Sequence, residues 1–229
     1  MRAFVITLHG NSYSEAAAGR CAASAARHGI EVTAWRAVSP ETANLTMEMN
    51  GLKWTWANDN TSVARCPTTG LRQHPYKTAD QRMRIGCSMS HYLLWEKCVK
   101  LAEPILILEH DAVVLRPLPQ IPYIGSAVMI NDPRGATPNG DKWAAAIGAK
   151  GPGIHAKTVI FDDERPDGLA GGSAYIIAPH AAAAAMAAFK HLGVWPNDAT
   201  LCRQIIGGLR ECFPFVTCVR ADKSMAGGY

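Results

Sequence analysis

Ile105-Leu-Ile-Leu-Glu-His-Asp-Ala-Val-Val-Leu115 is an apolar run broken at its middle by two carboxylates that flank a histidine. It is short, rich in β-favouring residues and bounded by Pro104 and Pro117, so it reads as a buried strand rather than a helix. In a strand, alternate side chains share a face. The pattern therefore predicts Glu109 and Asp111 on one side and His110 on the other. Two neighbouring buried carboxylates repel, and a cation or strong donors must offset that repulsion. A divalent cation that prefers oxygen ligands is the simplest such group.

The elements around this strand predict an α/β sheet. Ala3 to Leu8 reads as a first buried strand. Ser12 and Glu15 have capping-box spacing ahead of an alanine-rich helix that should run to about His28 and stop at Gly29. Ile30 to Trp35 reads as a second strand, and strand–helix–strand is the opening of an α/β fold. A second capping-box spacing, Thr78 to Gln81, precedes a helix expected to be interrupted near Gly86, with Met89, Leu93, Leu94 and Val99 on one face beside Trp95. Ala127 to Ile130, Thr158 to Phe161, Gly172 to Ala178 and Pro214 to Arg220 read as further strands. Pro179 opens an alanine-rich helix, and a last helix is expected over Ala199 to Ile206. Two stretches rich in Gly, Pro and Asn, 39–77 and 131–172, read as long loops, the first with a short helix near Ala43–Asn50.

Composition sets bounds on function. The 229 residues suffice for one large domain or two small ones, with a sizeable core. The net charge of +4 is spread without a Lys/Arg run, which argues against nucleic acid and suits an anionic small ligand. Seven cysteines, an odd number with no CxxC pair, indicate neither a disulfide framework nor a zinc site. No apolar stretch approaches the roughly 20 residues needed to cross a bilayer, and the first residues lack a signal-peptide layout. The expectation is a cytoplasmic protein with at most peripheral membrane contact.

Two segments taken together carry the most specific signal: Gly86-Cys-x-x-Ser-His91 with Trp95, then Ile107-Leu-Glu-x-Asp111. This resembles glycosyltransferase family 25, whose members carry a G-C-x-x-S-H helix followed by a strand ending in L-E-D-D. Ala37-Val38, Ala174-Tyr-Ile-Ile-Ala178 and Pro196-Asn-Asp198 are similar to further family elements in the same order. The chain departs at Ile6-Thr-Leu-His-Gly-Asn11, where the family has I-N-L-D-R, and at His110, where it has an acid. Arg20 is a loose candidate for the missing arginine contact.

The resemblance implies a single domain over 1–229 with a GT-A-type α/β fold, a central mixed sheet flanked by helices. It implies inverting transfer of a sugar, often galactose, from a nucleotide-diphosphate donor such as UDP-galactose to a saccharide or glycoconjugate acceptor, as in lipopolysaccharide biosynthesis. The leaving diphosphate needs its charge neutralised, which Mn²⁺ or Mg²⁺ supplies as a Lewis acid. Asp111 is the first choice as metal ligand. Glu109 would ligate directly or hold the donor. Gly86, Ser90 and His91 are candidate donor-site residues. Asp198 is the candidate base for the acceptor hydroxyl, although the same position suits a helix cap. Trp54 and Trp56 read as packing residues, Trp195 equally as packing or as a sugar platform, and Tyr175 as a core residue with its hydroxyl at the rim. A second reading from another class is a glycosyltransferase-like module that binds saccharide without turnover.

Overall fold

In the computed structural model, residues 1–57, 62–76, 78–120 and 125–220 are described. Lys77, at the end of the first expected loop, and residues 58–61 within it lie outside them. In chain order the elements are β1 (Arg2–Thr7), α1 (Ser12–Ala26), β2 (Val32–Arg36), α2 (Ala43–Met49), β3 (Ala64–Arg65), β4 (Arg72–Gln73), α3 (Gln81–Leu101), β5 (Ile105–Glu109), β6 (Ala112–Val114), β7 (Ala127–Met129), α4 (Gly140–Gly148), β8 (Gly153–Ala156), β9 (Ala174–Ile177), α5 (Pro179–Leu192), α6 (Asn197–Thr200), β10 (Arg210–Phe213) and β11 (Thr217–Val219).

The central sheet is mixed, with strand order β2-β1-β5-β9-β7-β10-β8. β1 runs parallel to both β2 and β5, whereas β9 lies antiparallel between β5 and β7. Side-chain alternation splits β5 between two cores. Ile105 and Ile107 face the cluster built with α3 and α5, and Leu106 and Leu108 face the one built with α1. The central strands β1, β5, β9 and β7 are buried on both sides, so they read as continuous apolar runs rather than as an alternation. Glu109 continues the Ile105–Ile107 face and is thereby aimed at α3.

Several boundaries differ from the sequence expectation. The opening strand ends at Glu109: residues 110 and 111 form a turn, and β6 pairs with β11 in a separate two-stranded sheet. Asp111 therefore reaches the side of Glu109 through a turn and not through strand alternation. The cap of α1 is Asn11, which accepts from the Ser14 amide at 3.0 Å, while Glu15 reaches back to the Gly10 amide at 2.9 Å. The cap of α3 is Asp80, not Thr78, and the helix runs through Gly86 without a break. Val99 is exposed, and Tyr92 and Cys98 are buried in its place, because α3 packs between α2 and α5 and buries more than one stripe.

The second expected loop contains α4 and β8, and Thr158 to Phe161 is not a strand. The last helix is a single turn, Asn197–Thr200, and β10 was not anticipated. β10 explains the misreading: Glu211 is fully buried on it, an atypical residue for a strand of the central sheet. Its Oε1 accepts from Lys150 Nζ at 2.8 Å and from the Thr158 amide at 2.9 Å, which is what makes the burial tolerable.

Candidate active site

The C-terminal end of β5, the middle of α3 and the start of α6 converge on one cavity, whose lining includes Arg84, Cys87, Glu109, Asp111, Asn197 and Asp198. On one side it shares Cys87, Glu109 and Asp111 with an apolar cavity of about 110 Å³ bounded by Ile6, Val38, Met83 and the Glu109–Asp111 turn. On the other side lies a cleft of about 450 Å³ reached past Arg84 and Asp198. Three of the sequence candidates, Glu109, Asp111 and Asp198, thus share one wall system although 87 positions separate the last two.

The Gly-Cys-x-x-Ser-His segment organises the first side. A Cβ on Gly86 would lie 2.6 Å from the carbonyl oxygen of Val38, so only glycine allows α3 to approach the loop after β2 this closely. Ser90 Oγ accepts from the Val38 amide at 2.9 Å and donates to the Gly86 carbonyl at 2.7 Å. Ser90 lines the apolar cavity with both of its hydrogen bonds made to backbone, and Gly86 shapes the wall from behind.

His91, also fully buried, sits in a hydrogen-bonded chain. Trp95 Nε1 donates to Tyr175 Oη at 2.9 Å, Tyr175 Oη lies 2.8 Å from His91 Nδ1, and His91 Nε2 lies 3.3 Å from Glu109 Oε1. The proton order follows from the donor at the end. The indole N–H only donates, so Tyr175 accepts there and turns its own proton to His91 Nδ1. Burial raises the Tyr175 hydroxyl well above its ordinary pKa, so that proton stays in place. His91 then carries its proton on Nε2 and donates to Glu109. The expected position of the Tyr175 hydroxyl at the rim is therefore corrected: it is an interior link of this chain.

Burial alone would raise the Glu109 carboxyl, but the hydrogen bond from His91 and the electrostatic influence of His91, His110 and Arg84 outweigh it and hold the group below the usual value. Glu109 is an anion in the cavity. His110 turns away toward Tyr13, edge to face with ring centroids 6.1 Å apart.

Asp198 behaves in the opposite way. Burial raises its pKa, against the opposing effects of Arg84, the Tyr76 hydroxyl and the Ala199 amide, and Glu109 raises it further. Tyr76 Oη donates within 3.2 Å of both carboxylate oxygens, and the Ala199 amide donates to Oδ1 at 2.9 Å. The cap of α6 is Pro196, so Asp198 bonds its neighbour's amide without being the cap residue. Gly168 packs tightly behind it: a Cβ there would clash with the Asp198 carbonyl oxygen.

Two donor sets offer themselves for a metal. Cys87, His91 and Glu109 place one ligand atom each within 4.8 Å of one another. Both nitrogens of His91 are committed, and burial pushes the Cys87 thiol well above its ordinary pKa, so this set suits a soft metal poorly. The carboxylates Glu109 and Asp111 face the cavity together, and oxygen donors of this kind fit a hard divalent cation.

Sequence reasoning passed over Arg84 and Tyr76. Arg84 had a signal: residues 84, 87, 88 and 91 follow helical spacing and share one face of α3. Tyr76 lies in irregular chain with no such pattern. Trp56, Trp54 and Trp195 are packing residues as expected, with Trp195 resolved toward the core: it is buried, and its Nε1 donates to Thr55 Oγ1 at 3.1 Å.

A seven-stranded mixed sheet flanked by helices is consistent with the GT-A-like nucleotide-sugar transferases. Residues 27–121 match the model of glycosyltransferase family 25, described as LPS biosynthesis protein. The matched stretch holds Gly86, Ser90, His91, Glu109 and Asp111, and it stops short of Tyr175 and Asp198. No curated protein matches the chain. Among the described residues, no helix is long and apolar enough to cross a membrane.

Proposed function

We propose that the protein is a metal-dependent inverting glycosyltransferase that moves a sugar, galactose from UDP-galactose by the family resemblance, onto a saccharide or glycoconjugate acceptor. The observation that carries the reading is the convergence of Glu109, Asp111, Arg84 and Asp198 on the cavity between the apolar pocket and the large cleft.

The donor base and ribose take the apolar pocket beside Ile6 and Val38, which brings the diphosphate to the Glu109–Asp111 turn. These two carboxylates would hold Mn²⁺ or Mg²⁺, which would supply positive charge to offset that developing on the departing diphosphate. Arg84 adds a fixed positive charge on the same wall. The acceptor enters through the large cleft, and Asp198 takes the proton from its attacking hydroxyl. A base must be ionised to act and basic enough to hold the proton, and burial shifts Asp198 toward that balance. The chain Trp95–Tyr175–His91 fixes the orientation of Glu109 throughout.

The test follows nucleoside diphosphate release from a panel of nucleotide sugars with Mn²⁺. Release is expected with at least one donor, and Asp111→Ala or Glu109→Ala should lower it by about 10²- to 10³-fold, the usual effect of deleting a group that stabilises developing charge. Undiminished release in both variants would overturn the metal assignment. Saccharide binding with no release from any donor would favour the non-catalytic reading.

A further inference from the structure

The large cleft carries charge as well as aromatic surface. Arg72, Arg84, Arg165 and His74 line it, against Asp198 as the one lining carboxylate among the described residues. Arg72 is neutralised, since it pairs with Asp162 and lies 3.7 Å from Glu164. Arg84 and Arg165 are held differently, each on an aromatic face: Arg84 lies 4.5 Å from the centroid of Tyr76, and Arg165 3.9 Å from that of Phe161. A stacked guanidinium keeps its in-plane N–H groups available for a planar anion.

Three buried nitrogens on residues lining the cleft have unfilled hydrogen-bonding capacity, His74 Nε2, Arg84 Nε and Arg72 Nε, and of these only Arg72 Nε has a carboxylate nearby, Glu164 at 3.7 Å. Leaving such atoms unpaired costs free energy that a ligand oxygen would recover. The local field has the same sign. Burial lowers the His74 pKa first, and the charges of Arg165 and Arg72 lower it further, so this end of the cleft is electropositive.

We propose that the acceptor is an acidic saccharide whose carboxylate or phosphate group is received by Arg165 and His74, with its reacting hydroxyl toward Asp198. This rests on the reading that the large cleft takes the acceptor. The anion selects the substrate and sets which end of it points at Asp198.

Binding, measured without turnover, tests it. The purified protein is titrated calorimetrically with a disaccharide ending in glucuronic acid, its glucose counterpart, and the same glucose disaccharide bearing a phosphate. At least one acidic probe should bind about tenfold or more tightly than the neutral one, the scale of one charged hydrogen-bonded contact. The ranking of the two acidic probes separates carboxylate from phosphate. Arg165→Gln should remove the preference, and retained binding of the neutral probe shows that the cleft is intact. Equal affinity for acidic and neutral probes, no binding of either acidic probe, or a preference that survives Arg165→Gln would overturn the proposal. Because donor cleavage is not read here, failure of this experiment and failure of the transferase reading are separate results.

Discussion

The two walls of the active site are built by opposite means. The donor side rests on regular elements: His91 on α3, Glu109 at the end of β5 and Tyr175 on β9, joined by hydrogen bonds within 3.3 Å. The acceptor side rests on irregular chain, with Tyr76, Phe161 and Arg165 in loops and Asp198 in a single helical turn. On the donor side the position of each side chain is set by helix and strand periodicity. On the acceptor side it is set by individual contacts, such as Gly168 behind Asp198 and Lys157 on the ring of Trp143, 3.5 Å from its centroid. A buried ion pair between Lys157 and Asp167 at 3.2 Å anchors that second wall where apolar packing alone would not define it. On the proposed assignment, donor chemistry rests on rigid elements and selection of the acceptor on loops.

That contrast can be broken most directly at Asp198. Asp198→Asn should lower kcat by about 10²- to 10⁴-fold, the range for loss of a general base. The pH profile gives a sharper reading. A base acts when deprotonated, so wild-type activity should fall as pH drops through the Asp198 pKa, which burial places above the ordinary carboxylate value. The asparagine variant should lose this acidic limb. Persistence of the limb in Asp198→Asn would assign it to another group.

The donor side should answer in stability before chemistry. Gly86→Ala places a methyl group against a backbone carbonyl that cannot rotate away, and should cost roughly 1–3 kcal/mol through displacement of α3 from the Val38 loop. Urea unfolding measures it. An unchanged midpoint would show that the close approach relaxes without cost. Tyr175→Phe should cost somewhat less, roughly 1–2 kcal/mol, because it leaves the Trp95 N–H and His91 Nδ1 without their shared partner in a dry interior. Nitrogen NMR of His91 adds a second readout: the wild type should carry its proton on Nε2, and the variant should lose that strict preference. A fixed Nε2 tautomer in Tyr175→Phe would show that Glu109 alone sets it.

Legibility followed the same division. Glu109 was visible because it interrupts an apolar strand pattern, and Gly86, Ser90 and His91 because they match a motif of the family the chain resembles. Asp111 was placed on the right side for an incomplete reason, since the chain turns after Glu109 and the alternation argument ends there. Arg84 was visible in principle by its helical spacing from His91. β10 was hidden by buried Glu211, and α4 by the Gly, Pro and Asn residues on either side of it. His74, Tyr76 and Arg165 belong to stretches without period, where nothing local indicates which way a side chain points.

The sequence by itself determined the α/β class, the buried strand carrying Glu109 and the helix carrying His91, because apolar periodicity decides which face of each element enters the core. Only the tertiary structure decided that Asp198 stands across a cavity from Glu109 and Asp111, that Tyr175 orients His91, and that two arginines without ion pairs among the described residues lie on aromatic rings in the cleft. Those relations join residues far apart in the chain, and the contacts that fix them exist only once the sheet has closed and the loops have packed against it.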